Sequence, residues 1–96
     1  MYLVVSEWEA YPGKEEEFEN GGRIMRPLLL RQPGVVTVEA FKSGSKLIVV
    51  HGYQDEAAYR AVVHDPDGEF AKAAVANHLE ESARWLRSES GETLPF

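Results

Sequence analysis

The sequence predicts an α+β fold, an antiparallel sheet with helices packed on one face, and three observations point to it. Two runs with strand-type composition, Val35 to Lys42 and Lys46 to Gln54, are separated only by Ser43-Gly44-Ser45, the mark of a hairpin. Stretches with helical apolar spacing flank that hairpin on both sides. A further run rich in β-branched and aromatic residues opens the chain. Ninety-six residues fit a single domain, residues 1–96, with a modest core.

In the first run, Tyr2 to Tyr11, the even positions Tyr2, Val4, Ser6, Trp8 and Ala10 share one face, and Leu3, Val5, Glu7, Glu9 and Tyr11 share the other. Both faces begin apolar, so the first half of the strand needs cover on both sides. Pro12-Gly13 ends it. Lys14-Glu15-Glu16-Glu17 then starts a helix, with acidic residues against the positive end of the helix dipole. Phe18, Met25, Leu28 and Leu29 form its apolar stripe. Gly21-Gly22 and Pro27 are unfavourable inside a helix, the glycines by about 1 kcal/mol each relative to alanine. They predict a break or a close helix–sheet contact; the sharper alternative is room left for a ligand.

Gln32-Pro33-Gly34 is a turn leading into the hairpin. Its second strand contains Leu47-Ile48-Val49-Val50, apolar on both parities and hence covered on both faces. Asp55 is a plausible N-cap for a helix through Val63. His64-Asp65-Pro66-Asp67-Gly68 interrupts it, and a further helix runs from Glu69 through at least Glu80, with Phe70, Ala74 and His78 on one stripe. Residues 82–88 read either as more helix or, from Ala83, as a short fourth strand. Ser90-Gly91-Glu92 reads as a turn before a tail of four residues.

The order β-α-β-β-α-(β) is the ferredoxin-like pattern. With helices on one face, the other face of the sheet carries apolar residues that a second copy would shelter, so a homodimer through the sheet face is expected. Net charge is −6, and no basic run or stripe occurs, which argues against nucleic acid as a partner. Apolar runs of four or five residues are far below the roughly 20 that span a bilayer, so no membrane is expected either. The N-terminus has no basic region followed by a long apolar stretch, so no signal peptide is read and a cytoplasmic location is the default. The absence of cysteine removes disulfides, thiolate catalysis and cysteine-based metal sites.

Three segments carry a resemblance: Pro12-Gly13-Lys14-Glu15-Glu16-Glu17-Phe18, Gln32-Pro33-Gly34-Val35, and Tyr53-Gln54-Asp55-Glu56-Ala57-Ala58-Tyr59. Over about residues 2 to 80 the chain resembles the antibiotic biosynthesis monooxygenase family, within the dimeric α+β barrel group. The resemblance implies a dimer whose two sheets form a barrel, with a pocket between sheet and helices in each subunit. Members include monooxygenases that act without metal or flavin on phenolic polyketides and quinols, heme-degrading enzymes, and proteins that handle small signalling molecules. The heme-degrading branch uses an asparagine in the first strand, where Ser6-Glu7-Trp8 stands here, and a tryptophan on a later helix, which the helix from Asp55 lacks. Heme binding or degradation is therefore the less favoured alternative.

No two of His51, His64 and His78 share the helical i, i+4 spacing of a metal motif, so no metal ligand is assigned and no cofactor is implied. His51 shares a strand face with Leu47, Val49 and Tyr53. It reads either as a hydrogen-bonded core residue or as a base for a phenol, since an ordinary pKa near 6.5 suits that work. His78, on the inward stripe, is the other candidate catalytic base. His64, before Asp-Pro, is a cap, an exposed loop residue or a ligand contact. Trp8, Tyr53 and Tyr59 lie where the resemblance places a pocket wall. They are core aromatics on the plain reading, and substrate contacts for a flat aromatic molecule on the functional one. Trp85 would close the barrel or cover the pocket mouth. Glu7 and Glu9 are read as marking where the strand reaches solvent.

The expected function is cofactor-independent monooxygenation of a small aromatic or quinol-like molecule. An electron-rich substrate would react with O2 itself, and the protein would supply burial, orientation and a base. A non-catalytic homodimer that binds a small aromatic ligand, and a dimeric module without any ligand, are the alternatives.

Overall fold

The computed structural model describes residues 1–96. Its elements run β1 (Tyr2–Ala10), α1 (Glu15–Leu30), β2 (Val35–Ser43), β3 (Lys46–Tyr53), α2 (Glu56–Val63), α3 (Glu69–Ala76), α4 (Leu79–Ser82) and β4 (Ala83–Glu92). The four strands form one sheet in the order β2-β3-β1-β4, every pair antiparallel. This is the α+β, ferredoxin-like arrangement that the sequence predicts.

Register sorts the side chains. Tyr2 faces Tyr53, Val4 faces His51 and Ser6 faces Val49 across β1 and β3, while Val38 faces His51 across β2 and β3. These residues point to the helices, where Tyr2, Val4, Val38 and Tyr53 join Leu29 and Val62 in the core. The other parity forms the outer face: Leu3, Val5 and Glu7 beside Gly52, Val50 and Ile48, then Thr37, Glu39 and Phe41. That face is partly apolar, with Phe41 53% exposed. Glu7 is not simply at a solvated strand end. Its carboxylate stands between Lys46 at 3.4 Å and Arg87 at 3.3 Å, and Glu9 meets Arg84 at 2.9 Å.

The helices depart from expectation in three places. First, α1 runs unbroken through Gly21-Gly22 and Pro27. Gly21 is buried, and a Cβ built on it would lie 2.6 Å from Leu79 Cδ2, so the missing side chain admits α4. The close contact is with a helix rather than the sheet. Second, the expected long helix from Glu69 ends at Ala76 and restarts at Leu79, because His78 takes a left-handed conformation with φ of 54°. Third, the fourth strand is real and extends to Glu92, so Ser90-Gly91-Glu92 is strand rather than turn. Pairing with β1 decides that outcome, including a register shift that seats Trp85 opposite Trp8.

Asp55 caps α2 as the sequence predicts, its carboxylate accepting from the Ala58 N–H at 2.8 Å. No helix is long and apolar enough to cross a membrane.

Candidate functional site

The hairpin strand β3 and the helix α2 bring four predicted residues together. His51 and Tyr53 are two apart on β3 and so share the helix-facing side. Tyr59 sits in the first turn of α2, which Asp55 anchors directly after β3, and it leans over both. Its ring lies 5.2 Å from Tyr53 and 6.2 Å from His51. His64, the C-cap of α2, meets Tyr59 edge-on at 5.0 Å from the exposed side. Tyr2 completes the cluster at 5.5 Å from Tyr59. Such tilted and T-shaped pairs place a ring edge against a neighbour's π-face, which adds to the gain from burial.

At the centre is one polar contact. His51 Nδ1 and the Tyr53 hydroxyl lie 2.7 Å apart, with Tyr53 fully buried and His51 only 8% exposed. Burial pushes the His51 pKa down to about 4, because a charged ring would lose its hydration there. Burial, and then the nearby Tyr59, raises the Tyr53 phenol well above its ordinary value. Tyr59 is raised as well, first by burial and then by Tyr2. The site is therefore a neutral imidazole set among protonated phenols. It offers one imidazole nitrogen for hydrogen bonding beyond the contact with Tyr53.

Trp8 stands apart from this cluster. It packs against Phe18 of α1 at 5.7 Å, and its indole N–H donates to Ser6 Oγ at 3.1 Å. His78 is also elsewhere. The left-handed turn lifts it off the inward stripe, and its half-exposed ring faces Glu81 at 3.2 Å. Trp85 is 55% exposed, and its N–H donates to Ser88 Oγ at 2.8 Å. Tyr2 was not singled out from the sequence, although its hydroxyl donates to Ser90 Oγ at 2.8 Å and ties the cluster to β4. Parity alone put Tyr2 on the face of Trp8. Only the pairing of Tyr2 with Tyr53 separates those two residues and joins Tyr2 to the cluster.

The surface depressions include two of several hundred Å³. One, of about 570 Å³, lies on the outer face over Leu3, Val5 and Gly91. The other, of about 490 Å³, lies between α1 and the turn at His78, beside Glu17, Asn20 and Gly21. Neither touches His51.

No protein-family model matches the chain, and no curated protein matches it. Solved structures do. A Nitrosomonas europaea protein assigned to the antibiotic biosynthesis monooxygenases superposes with a TM-score of 0.80 at 14% identity, over 98% of this chain and 99% of that one. An antibiotic biosynthesis monooxygenase structure gives 0.76 at 14% identity, over 99% and 100%. SnoaB, a cofactor-independent oxygenase from Streptomyces nogalater, gives 0.73 at 22% identity, over 99% and 97%. Near-complete coverage in both directions makes the likeness one of whole folds. The chain therefore carries the fold of the antibiotic biosynthesis monooxygenases.

Proposed function

We propose that this protein is a cofactor-independent monooxygenase for a small aromatic or quinol-like molecule, working as a homodimer joined through the outer face of the sheet. The observation that carries the reading is the buried, uncharged His51 under the aromatic cluster of Tyr2, Tyr53 and Tyr59. SnoaB, with the same fold, supports the reaction class. In the reaction a phenol becomes a quinone. One oxygen atom of O2 becomes the new ring carbonyl and the other leaves as water. The phenolic O–H and a ring C–H lose their two hydrogens to that water, and the ring supplies all four electrons. The protein contributes orientation and a dry, apolar enclosure for the reacting ring. Entry beside Tyr59 and His64, the exposed edge of the cluster, brings a ring oxygen to His51. The apolar residues Leu3, Val5, Ile48 and Val50 support the dimer, since a second copy would take them out of water.

Oxygen uptake and quinone absorbance, followed with a naphthol under air, test the proposal. Uptake faster than in buffer, with label from isotopic O2 in the quinone and a loss of about tenfold in Tyr59→Ala, is expected. Uptake no faster than in buffer across a panel of naphthols and anthrones defeats it. The packed core around Tyr53 favours one second reading, a dimeric module without a ligand. Equilibrium dialysis showing no retention of any phenol in the panel selects that reading.

A further inference from the structure

The pairing of His51 with Tyr53 determines more than position. A buried phenol has one proton and needs an acceptor for it. The Tyr53 side chain is fully buried, and the only partner of its hydroxyl is His51 Nδ1, at 2.7 Å. Two proton arrangements fit that distance. If the Tyr53 O–H donates to Nδ1, both groups are satisfied. If Nδ1–H donates to the phenol oxygen, the phenol proton is left with no acceptor, at a cost of about 1–3 kcal/mol. The first arrangement wins. A neutral imidazole carries one N–H, and with Nδ1 accepting, that N–H is Nε2–H. The shifts at both groups agree: burial keeps the ring uncharged, and the phenol retains its proton.

Nε2 has no hydrogen-bond partner within the protein, yet no buried side-chain nitrogen or oxygen lacks one. It therefore belongs to the small part of the ring that can be reached from outside. A polar group more than nine-tenths buried, with one donor left to give, is a binding element for an oxygen acceptor.

We propose that Tyr53 holds His51 in the Nε2–H tautomer, so that His51 acts as a hydrogen-bond donor and takes a ligand through an anionic ring oxygen, a phenolate. This deepens the function proposed above and rests on it for the identity of the ligand. It revises the expectation of a catalytic base. His51 does not remove the phenol proton, since its outward nitrogen already bears one. Instead it stabilises the phenolate that remains when the O–H bond ionises and the proton passes to water. That ionised ring is the form that gives electrons to O2. Tyr53 is then a positioning residue, and His51 the group that touches substrate.

Long-range proton–nitrogen correlation spectra of the whole chain near neutral pH read the tautomer directly. A pyrrole-type Nε2 and a pyridine-type Nδ1 for His51 are expected, with the distinction weakened in Tyr53→Phe. A pyrrole-type Nδ1 overturns the assignment. The ligand is probed with para-nitrophenol, whose phenolate absorbs in the visible. The native protein should raise the ratio of phenolate to phenol in the bound probe by about tenfold or more, as a hydrogen bond to a charged group would. His51→Phe should bind it without that rise. No binding, or an equal rise in His51→Phe, overturns the donor role. The two proposals fail separately. The tautomer and probe shift with no oxygen uptake leave the donor standing without the monooxygenase, and turnover with Nδ1–H leaves the monooxygenase without this donor.

Discussion

Gly34 and Ala58 approach so closely that a Cβ built on Gly34 would lie 2.6 Å from the Ala58 Cβ. Gly34 also has φ of +84°, a conformation that disfavours any other side chain. Its carbonyl accepts from the Gln54 N–H at 2.8 Å, so the Pro33-Gly34 turn is tied to the end of β3 just where α2 begins. Backbone strain and a rigid clash add here. Gly34→Ala should destabilise the fold by about 3 kcal/mol, judged by denaturant midpoints. Gly21→Ala makes the contrast. Its clash is with the movable end of Leu79, and about 1 kcal/mol of helix propensity offsets the shift, so a change within about 1 kcal/mol is expected. Equal losses in the two variants would refute the distinction.

His51 should make stability depend on pH. Its pKa is lowered by burial to about 4 in the folded chain, against an ordinary 6.5 when unfolded. Between those values the unfolded chain holds more protons, so stability rises with pH and falls as the solution is acidified. The full effect is about 3 kcal/mol, complete above the unfolded pKa and gone below the folded one. Urea titrations from pH 7 to about pH 5 should show a loss that His51→Gln lacks. Parallel profiles for the two proteins would mean the imidazole is not held neutral.

The cap of α2 is a local test of how the site is assembled. Asp55→Ala removes the acceptor for the Ala58 N–H and should cost about 1 kcal/mol, with Asp55→Asn recovering most of it. Because α2 carries Tyr59 over His51, the Tyr59 and His51 ring resonances should move together in the alanine variant. An unchanged denaturation midpoint would show that the cap contributes nothing.

The proposed dimer depends on the outer face. Val5 lies beside Val50 in the middle of that face and is 37% exposed. Val5→Lys places a charge where a second copy would pack, and should turn a native dimer into a folded monomer in sedimentation at micromolar concentration. A native protein that sediments as a monomer would end the dimer proposal without touching the fold.

Much of this arrangement was legible from local chemistry. The Ser43-Gly44-Ser45 turn, the Asp55 cap, the Pro33-Gly34 turn and the parity that puts His51 with Tyr53 all follow from residues a few positions apart, whose physics acts at short range. The same local rules misread Gly21-Gly22 and Ser90-Gly91-Glu92. Glycine preferences of about 1 kcal/mol yield to packing against Leu79 in one case and to a full ladder with β1 in the other.

Sequence by itself determined the order of elements through α2, the acidic and cysteine-free character, and which strand residues share a face, because composition and a period of two require no knowledge of distant contacts. Tertiary structure alone decided that Tyr2 joins Tyr53 while Trp8 does not, that His78 turns outward, and that the Tyr53 hydroxyl and His51 Nδ1 meet in the buried core. Those outcomes depend on strand register and on burial. Both arise from contacts between residues far apart in the chain, which no local pattern encodes.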